Sequence, residues 1–249
     1  MELQDLAKLQ ASNPSTDAAM PSRLTEAELA PPKKKYTLPP PEDPALKRQR
    51  ECRQRIALDL GKRYSVSRSA LTQFSIYDKR QSDVLAKLKD YAQDLEKNIA
   101  AGRSILLYGP VGTGKDHLLA WLLHWAAEIG KTCRWFSGQE FYATFRDMMD
   151  RQPPYNNTEA MLIAPYSHCD VLGISDPTPP EGEATNWNRM QLYRLIDIRY
   201  RNGRPVWMTM NAGDQEEAER RLTSPIFDRL QDDAVVLECF WSSYRERSK

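Results

Sequence analysis

Ser104-Ile105-Leu106-Leu107-Tyr108-Gly109-Pro110-Val111-Gly112-Thr113-Gly114-Lys115-Asp116 reads as a short apolar strand, a glycine-rich loop and the start of a helix. Residues 109–115 fit the spacing G-x-x-x-x-G-K of a phosphate-binding loop. The chemistry needs those residues at that spacing. Gly109, Gly112 and Gly114 let the backbone wrap closely round a polyphosphate, and Pro110, Val111 and Thr113 complete the wrap, so that N–H groups turn inward as an anion nest. Lys115 then reaches the β and γ phosphates, and the following helix adds the positive end of its dipole. A plain glycine turn is the bland alternative. The flanks argue against it: residues 105–108 form an apolar strand, and residues 117–127 are apolar enough for a helix packed on a sheet, closed by Gly130. The next position is anomalous. The motif ordinarily closes with a Ser or Thr whose hydroxyl binds Mg²⁺, and here it closes with Asp116.

The rest of the composition sets bounds. A chain of 249 residues holds one domain of ordinary size and a tail, and its net charge of +1 demands no polyanionic partner. Cys52, Cys133, Cys169 and Cys239 are widely spaced with no C-x-x-C pair, which argues against a zinc ribbon or a disulfide framework. They read as reduced, small buried hydrophobes. There is no apolar signal core at the start and no stretch approaching the length of a membrane span, so the expectation is a soluble, cytoplasmic protein without a membrane partner.

Residues 1–44 carry eight of the 17 prolines together with Lys33, Lys34 and Lys35, and read as an extended, disordered arm with room for short helices at 3–9 and 25–30. Residues 45–60 return to helix and are strongly basic through Lys47, Arg48, Arg50, Arg53 and Arg55. A solvated face is the default reading of such a run, and contact with phosphate or an acidic partner is the sharper one. Residues 69–77 read as loop and turns. Residues 81–98 read as one amphipathic helix with Val84, Leu88, Tyr91 and Leu95 on one face. Beyond the glycine-rich loop, strands at 132–136, 170–174, 205–210 and 234–237 alternate with helices at 139–149, 159–163, 187–200, 214–222 and 225–230. Residues 151–157 form a loop. That alternation implies an α/β fold with a mostly parallel sheet covered on both faces. The domain plan is an arm at 1–44, a helical lead-in at 45–103 and a nucleotide-binding domain at 104–249.

A phosphate-loop ATPase also needs an acid at the end of a neighbouring strand to hold Mg²⁺, often followed by a second acid that orients the attacking water. Val171-Leu172-Gly173-Ile174 runs into Ser175-Asp176-Pro177. Two registers are open. Either Asp176 is the magnesium acid and Pro177 spoils the water-activating position, or Ser175 takes the magnesium position and Asp176 the water-activating one. The second is favoured, because four residues between Asp170 and the site suit a strand better than five. In that register Asp116 and Ser175 have exchanged roles and together still hold Mg²⁺; the rival is a decayed site that binds nucleotide without turning it over. Asn211, after the strand at 205–210, is placed to reach the γ phosphate or the lytic water. Arg229, on a late helix, is placed to reach a neighbouring subunit's nucleotide.

In order along the chain these residues resemble the AAA+ ATPases of bacterial replicative-helicase loaders and insertion-sequence transposase helpers, the DnaC/IstB-type family. The resemblance covers about residues 53–247. It is carried by the loop at 109–115 with His117-Leu118, by 170–176, by Gln191-Leu192-Tyr193-Arg194-Leu195-Ile196-Asp197-Ile198-Arg199-Tyr200, by Thr209-Met210-Asn211, by Phe227-Asp228-Arg229-Leu230, and by Trp241-Ser242-Ser243-Tyr244-Arg245. It implies a five-stranded AAA+ P-loop core, ATP with Mg²⁺ as cofactors, and nucleotide-dependent homo-oligomers on DNA, single-stranded or duplex. It also implies a replicative helicase or a transposase as partner. By position Lys115 matches the phosphate lysine, Asn211 the sensor asparagine, Arg229 the arginine finger and Arg245 the late nucleotide-sensing arginine. The departures are Asp116, Ser175 and Pro225. The first two bear on hydrolysis and leave a non-hydrolysing adaptor as the alternative function. A small-molecule kinase on the same loop fits less well, because the order of sensor and arginine finger speaks for an oligomeric ATPase.

Overall fold

A computed structural model describes residues 42–74, 79–150, 159–179 and 184–245. The expectations for the arm at 1–41 and the loop at 151–157 lie outside these residues. The described residues belong to one compact unit.

The lead-in begins with α1 (Pro44–Leu60), capped by the Asp43 carboxylate, which accepts from the Ala45 amide, and started by Pro44. Its apolar stripe, Cys52, Ile56 and Leu60, recurs every four residues and is buried. Much of its basic face is engaged within the chain. Arg48 donates to Gly130 O, Arg50 pairs with Glu42, and Arg53 pairs with Glu128. A 3₁₀ turn (Lys62–Tyr64), a single turn α2 (Val66–Ser69) and a second 3₁₀ turn (Leu71–Gln73) follow.

The helix expected over 81–98 is two helices, α3 (Lys79–Gln93) and α4 (Leu95–Ala100). The reason is local. The Asn98 side chain donates to Tyr91 O at 2.8 Å, taking the acceptor that an unbroken helix would offer to the Leu95 amide. The expected face nevertheless holds, since Val84, Leu88, Tyr91 and Leu95 are all buried.

The α/β body follows as β1 (Ile105–Gly109), α5 (Lys115–Glu128), β2 (Cys133–Ser137), α6 (Gly138–Asp150), α7 (Glu159–His168) and β3 (Val171–Ser175). It continues with α8 (Asn186–Arg201), β4 (Val206–Asn211), α9 (Gln215–Leu222), α10 (Ser224–Gln231) and β5 (Val235–Glu238). All five expected strands are present within a residue or so of their expected limits. Helix α7 runs past its expected end, through Pro165. Helix α5 closes on Gly130 at φ 77°, with the Gly130 and Lys131 amides returning to Ala127 O and Ala126 O.

The sheet is entirely parallel, in the order β2-β3-β4-β1-β5. Its faces separate by residue parity. Ile105 and Leu107 join Trp207 and Leu237 in a core with α1, α3, α4 and α5. Leu106 and Tyr108 join Met208 and Met210 in a second core with α6 to α10. Burial on both faces is why β1, β3 and most of β4 read as unbroken apolar runs rather than alternating ones.

Register then positions the chemistry. Gly109 lies opposite Asn211 and Ser175 opposite Thr209, so the carboxyl ends of β1, β3 and β4 finish side by side. The chain leaves β1 for β2 on one side and reaches β5 on the other, and the crevice at such a switch point is where open α/β sheets bind ligands.

Candidate functional site

A pocket of about 370 Å³ opens at those strand ends. It is lined by the loop (Val111, Gly112, Gly114, Lys115, Asp116), by Ser175 and Asp176 after β3, by Thr209 and Asn211 on β4, and by Tyr244 and Arg245 near the C-terminus. The lead-in contributes Arg63, Tyr64, Arg68, Gln73 and Phe74.

The loop adopts the backbone the glycines predict: Gly112 and Gly114 have φ of 84° and 86°, in the left-handed region. At Gly112 a β-carbon would overlap the Ser243 side chain. The loop is fastened from the C-terminal segment. Trp241 Nε1 donates to Thr113 O at 2.9 Å, and the Tyr244 amide donates to Gly112 O at 2.9 Å. Lys115 is 6% exposed, and its Nζ donates to Gly109 O at 2.8 Å and Pro110 O at 2.7 Å. Burial pulls its pKa below the usual lysine value. A buried ammonium beside backbone amides and a helix N-terminus makes this the cationic end of the pocket.

Asp116, in the first turn of α5, takes three hydroxyl donors. Oδ1 accepts from Ser175 Oγ at 2.9 Å and Thr209 Oγ1 at 2.6 Å, and Oδ2 accepts from Tyr64 Oη at 3.2 Å. Burial and then the Asp116 charge push the Tyr64 phenol up to about 12, so it remains a donor at neutral pH. Asp176 follows the last strand residue at φ 45°, a conformation Asp tolerates better than most side chains. Its carboxylate accepts from Asn211 Nδ2 at 2.6 Å. Burial raises the Asp176 pKa above 3.8, and the hydrogen bonds from the Asn211 amide and side chain oppose that rise. Behind Asn211, Arg221 of α9 donates to its carbonyl oxygen and to Pro179 O.

The structure thus brings together Lys115, Asp116, Ser175, Asp176, Asn211 and Arg245 around one pocket, with Gly109, Pro110 and Thr113 closing the loop behind Lys115. It does not bring Arg229 there. That guanidinium is held elsewhere, by Asp197 Oδ1 at 3.2 Å, Tyr193 Oη at 3.1 Å and Pro225 O at 2.8 Å, and its centre lies 4.9 Å from the centroid of the Tyr193 ring. Sequence reasoning missed Thr209 and Tyr64. Thr209 had a signal, since it shares a strand face with Asn211 two residues on. Tyr64 had none. Arg199, singled out in the sequence as part of the resemblance, is structural: it is wholly buried and donates to backbone carbonyls at the starts of β3 and β4.

The oxygens round Asp116, a carboxylate and two aliphatic hydroxyls, are hard donors of the kind Mg²⁺ takes. Among the described residues there is no group of three or more His, Cys, Asp or Glu able to hold a metal alone. A cation bound here would need further ligands, such as phosphates. No helix among the described residues is long and apolar enough to cross a membrane. All four cysteines are buried and free.

No protein-family model matches the chain. Two curated proteins align with part of it. The phage-like element PBSX protein XkdC of Bacillus subtilis is 26% identical over 162 residues, 63% of this chain and 59% of that one. A candidate ATP-binding protein in an insertion sequence of Mycobacterium tuberculosis is 32% identical over 112 residues, 45% of this chain and 41% of that one. The chain therefore spans less than two thirds of either relative. Among solved structures, the DnaC helicase loader superposes with a TM-score of 0.60 at 19% identity, over 72% of this chain and 99% of that one. DnaI superposes at 0.54 with 17% identity, over 72% and 91%. AMPPCP-bound DnaA from Aquifex aeolicus superposes at 0.53 with 16% identity, over 72% and 51%. Sheet order, loop and superpositions agree: the chain has the AAA+ P-loop fold and resembles the DnaC/IstB-type ATPases.

Proposed function

We propose that the protein is an ATP-binding AAA+ protein that acts on DNA as the helper of a larger machine, a replicative helicase or a transposase. Mg·ATP drives its assembly, and the exchanged site hydrolyses ATP slowly. The observation that carries this reading is the 2.9 Å hydrogen bond from Ser175 Oγ to Asp116 Oδ1, within reach of the Lys115 loop. A hydroxyl and a carboxylate from these two positions are what a phosphate-loop magnesium site requires, and here each stands where the other is expected.

In this reading the loop amides and Lys115 bind the β and γ phosphates. Asp116 and Ser175 would hold Mg²⁺, which when bound neutralises phosphate charge. Asp176, fixed by Asn211, orients the attacking water, and Asn211 assists at the γ phosphate or that water. Arg245 lies at the pocket wall. Arg229 serves a neighbouring subunit's nucleotide after release from Asp197, and stabilises charge on the transferring phosphoryl group. DNA, in the single-stranded form, and the helicase or transposase partner follow from the family likeness.

A second reading, a nucleotide-dependent adaptor without turnover, is favoured by one observation. The three hydroxyls around Asp116 satisfy much of its acceptor capacity from within the protein. Phosphate release by the purified protein with Mg²⁺, with and without single-stranded DNA, separates the two. Turnover that is lost in Lys115→Ala and Asp176→Asn supports the ATPase. Tight Mg·ATP binding without turnover moves the function to the adaptor. Equal ATP affinity in Mg²⁺ and in EDTA sinks the exchanged metal site, because a carboxylate beside bare phosphates repels them.

A further inference from the structure

Asp116 is held from three directions, and one of them lies outside the strand-and-helix body. Ser175 and Thr209 are neighbours in the sheet, and both donate to Oδ1. Tyr64, in the 3₁₀ turn after α1, donates to Oδ2. An ionised carboxylate offers about four acceptor positions. Two hydroxyls occupy those of Oδ1, and Tyr64 occupies one of Oδ2. The acceptor position left for an external ligand is the second one on Oδ2, beside the Tyr64 hydroxyl.

Tyr64 is itself fixed. Its carbonyl oxygen is bonded to His124 Nε2 at 2.8 Å, which ties the turn to α5. Its ring meets His117 edge-on with centroids 4.9 Å apart, and lies against Trp135 at 5.8 Å. The phenol is therefore aimed at Asp116 by packing rather than reaching it by chance. The same turn continues α1, whose buried stripe packs on α5 and β2.

We infer that Tyr64 is the positioning residue of the cation site, orienting the free edge of Asp116, and the joint through which the state of that site reaches the helical lead-in. This rests on the reading of Asp116 as a cation ligand given above. A ligand drawn to Oδ2 acts directly on the Tyr64 bond, and hence on the turn that ends α1. Ser175 and Thr209 sit in a rigid sheet and transmit no such change.

The test is titration of the full chain with a non-hydrolysable ATP analogue, in Mg²⁺ and in EDTA, for the parent and Tyr64→Phe, with hydrogen exchange followed over residues 58–69. The parent should bind more tightly in Mg²⁺. Tyr64→Phe should lose about tenfold or more of that metal-dependent gain, the worth of one hydrogen bond to a charged group, with affinity in EDTA unchanged. Exchange over 58–69 should slow on Mg²⁺–nucleotide binding in the parent and not in Tyr64→Phe. In an Asp116→Ser background the Tyr64→Phe change should have no further effect. A metal-dependent gain that is equal in parent and Tyr64→Phe overturns the role of Tyr64 and leaves the metal site standing. An equal loss in the Asp116→Ser background reduces Tyr64 to a packing residue. No metal-dependent gain in the parent overturns the metal site and this inference with it.

Discussion

Replacing Arg199 by Met probes what joins the strands beneath the site. Arg199 is 0% exposed, yet it carries a guanidinium. Its Nη1 donates to Tyr166 O at 2.7 Å and Cys169 O at 3.0 Å, and its Nη2 donates to Asp170 O at 3.2 Å and Pro205 O at 2.7 Å. One side chain on α8 thus ties the end of α7 and the residues just before β3 and β4. Burial lowers its pKa, and the neighbouring groups that act to keep it charged include Cys169 and Asp170. Met preserves the stem and most of the volume but donates nothing. Four bonds from a charged donor are worth roughly 1.5–3 kcal/mol each. Relief from burying a guanidinium returns several kcal/mol, so the net loss is about 3–5 kcal/mol. For a domain of this size that lowers the unfolding midpoint by roughly 10 °C. Urea denaturation followed by circular dichroism measures the first figure and a thermal scan the second. Arg199→Lys should fall between, since an ammonium carries the charge but only three donors. The reasoning is refuted if Arg199→Met stays within about 1 kcal/mol of the parent, a loss no larger than one ordinary hydrogen bond.

Two further predictions concern the residues around the pocket. Asp176 has a folded-state pKa above its ordinary 3.8, so its carboxyl favours folding most when protonated, and that contribution is lost as pH rises through the shifted value. Asp176→Asn should therefore be more stable than the parent at pH 7, the gap should close as pH falls below 3.8, and phosphate release should cease; chemical denaturation across pH and a turnover assay check both. Gly173→Ala would place a β-carbon 2.7 Å from a Leu123 methyl and 2.9 Å from the Trp135 ring. It should cost about 1–3 kcal/mol by overpacking and weaken nucleotide binding, because the helix it displaces is the one that carries Lys115; denaturation and ligand titration read the two effects.

How much of this was legible beforehand follows from the range of each interaction. The strand–loop–helix at 104–128 is written locally: an apolar run, glycines where left-handed backbone is needed, and a lysine at the helix start. The alternation of five strands and their helices is a matter of period, and it gave the layered fold. The break between α3 and α4 was not legible, because the helical pattern continues through it and the Asn98 to Tyr91 bond that interrupts it depends on side-chain geometry. Thr209 was half legible, sharing a face with Asn211 on one strand. Ser175 beside Asp116 was inferred from an exchange of residue types and is seen as a 2.9 Å hydrogen bond.

The sequence by itself determined the strand–loop–helix with its glycines and lysine, the class of fold and the anomaly at Asp116, since each depends on residues within one strand, one turn or one helical repeat. The tertiary structure alone decided what surrounds Asp116. Tyr64 is 52 positions away and Thr209 is 93, and only the packing of the lead-in on α5 and the pairing of β3 with β4 bring their hydroxyls to one carboxylate. It also decided that Arg229 stands apart, bracketed by Asp197 and Tyr193 on α8. Local pattern fixes which face of an element is buried, whereas a site assembled from several elements depends on long-range packing that a local pattern does not encode.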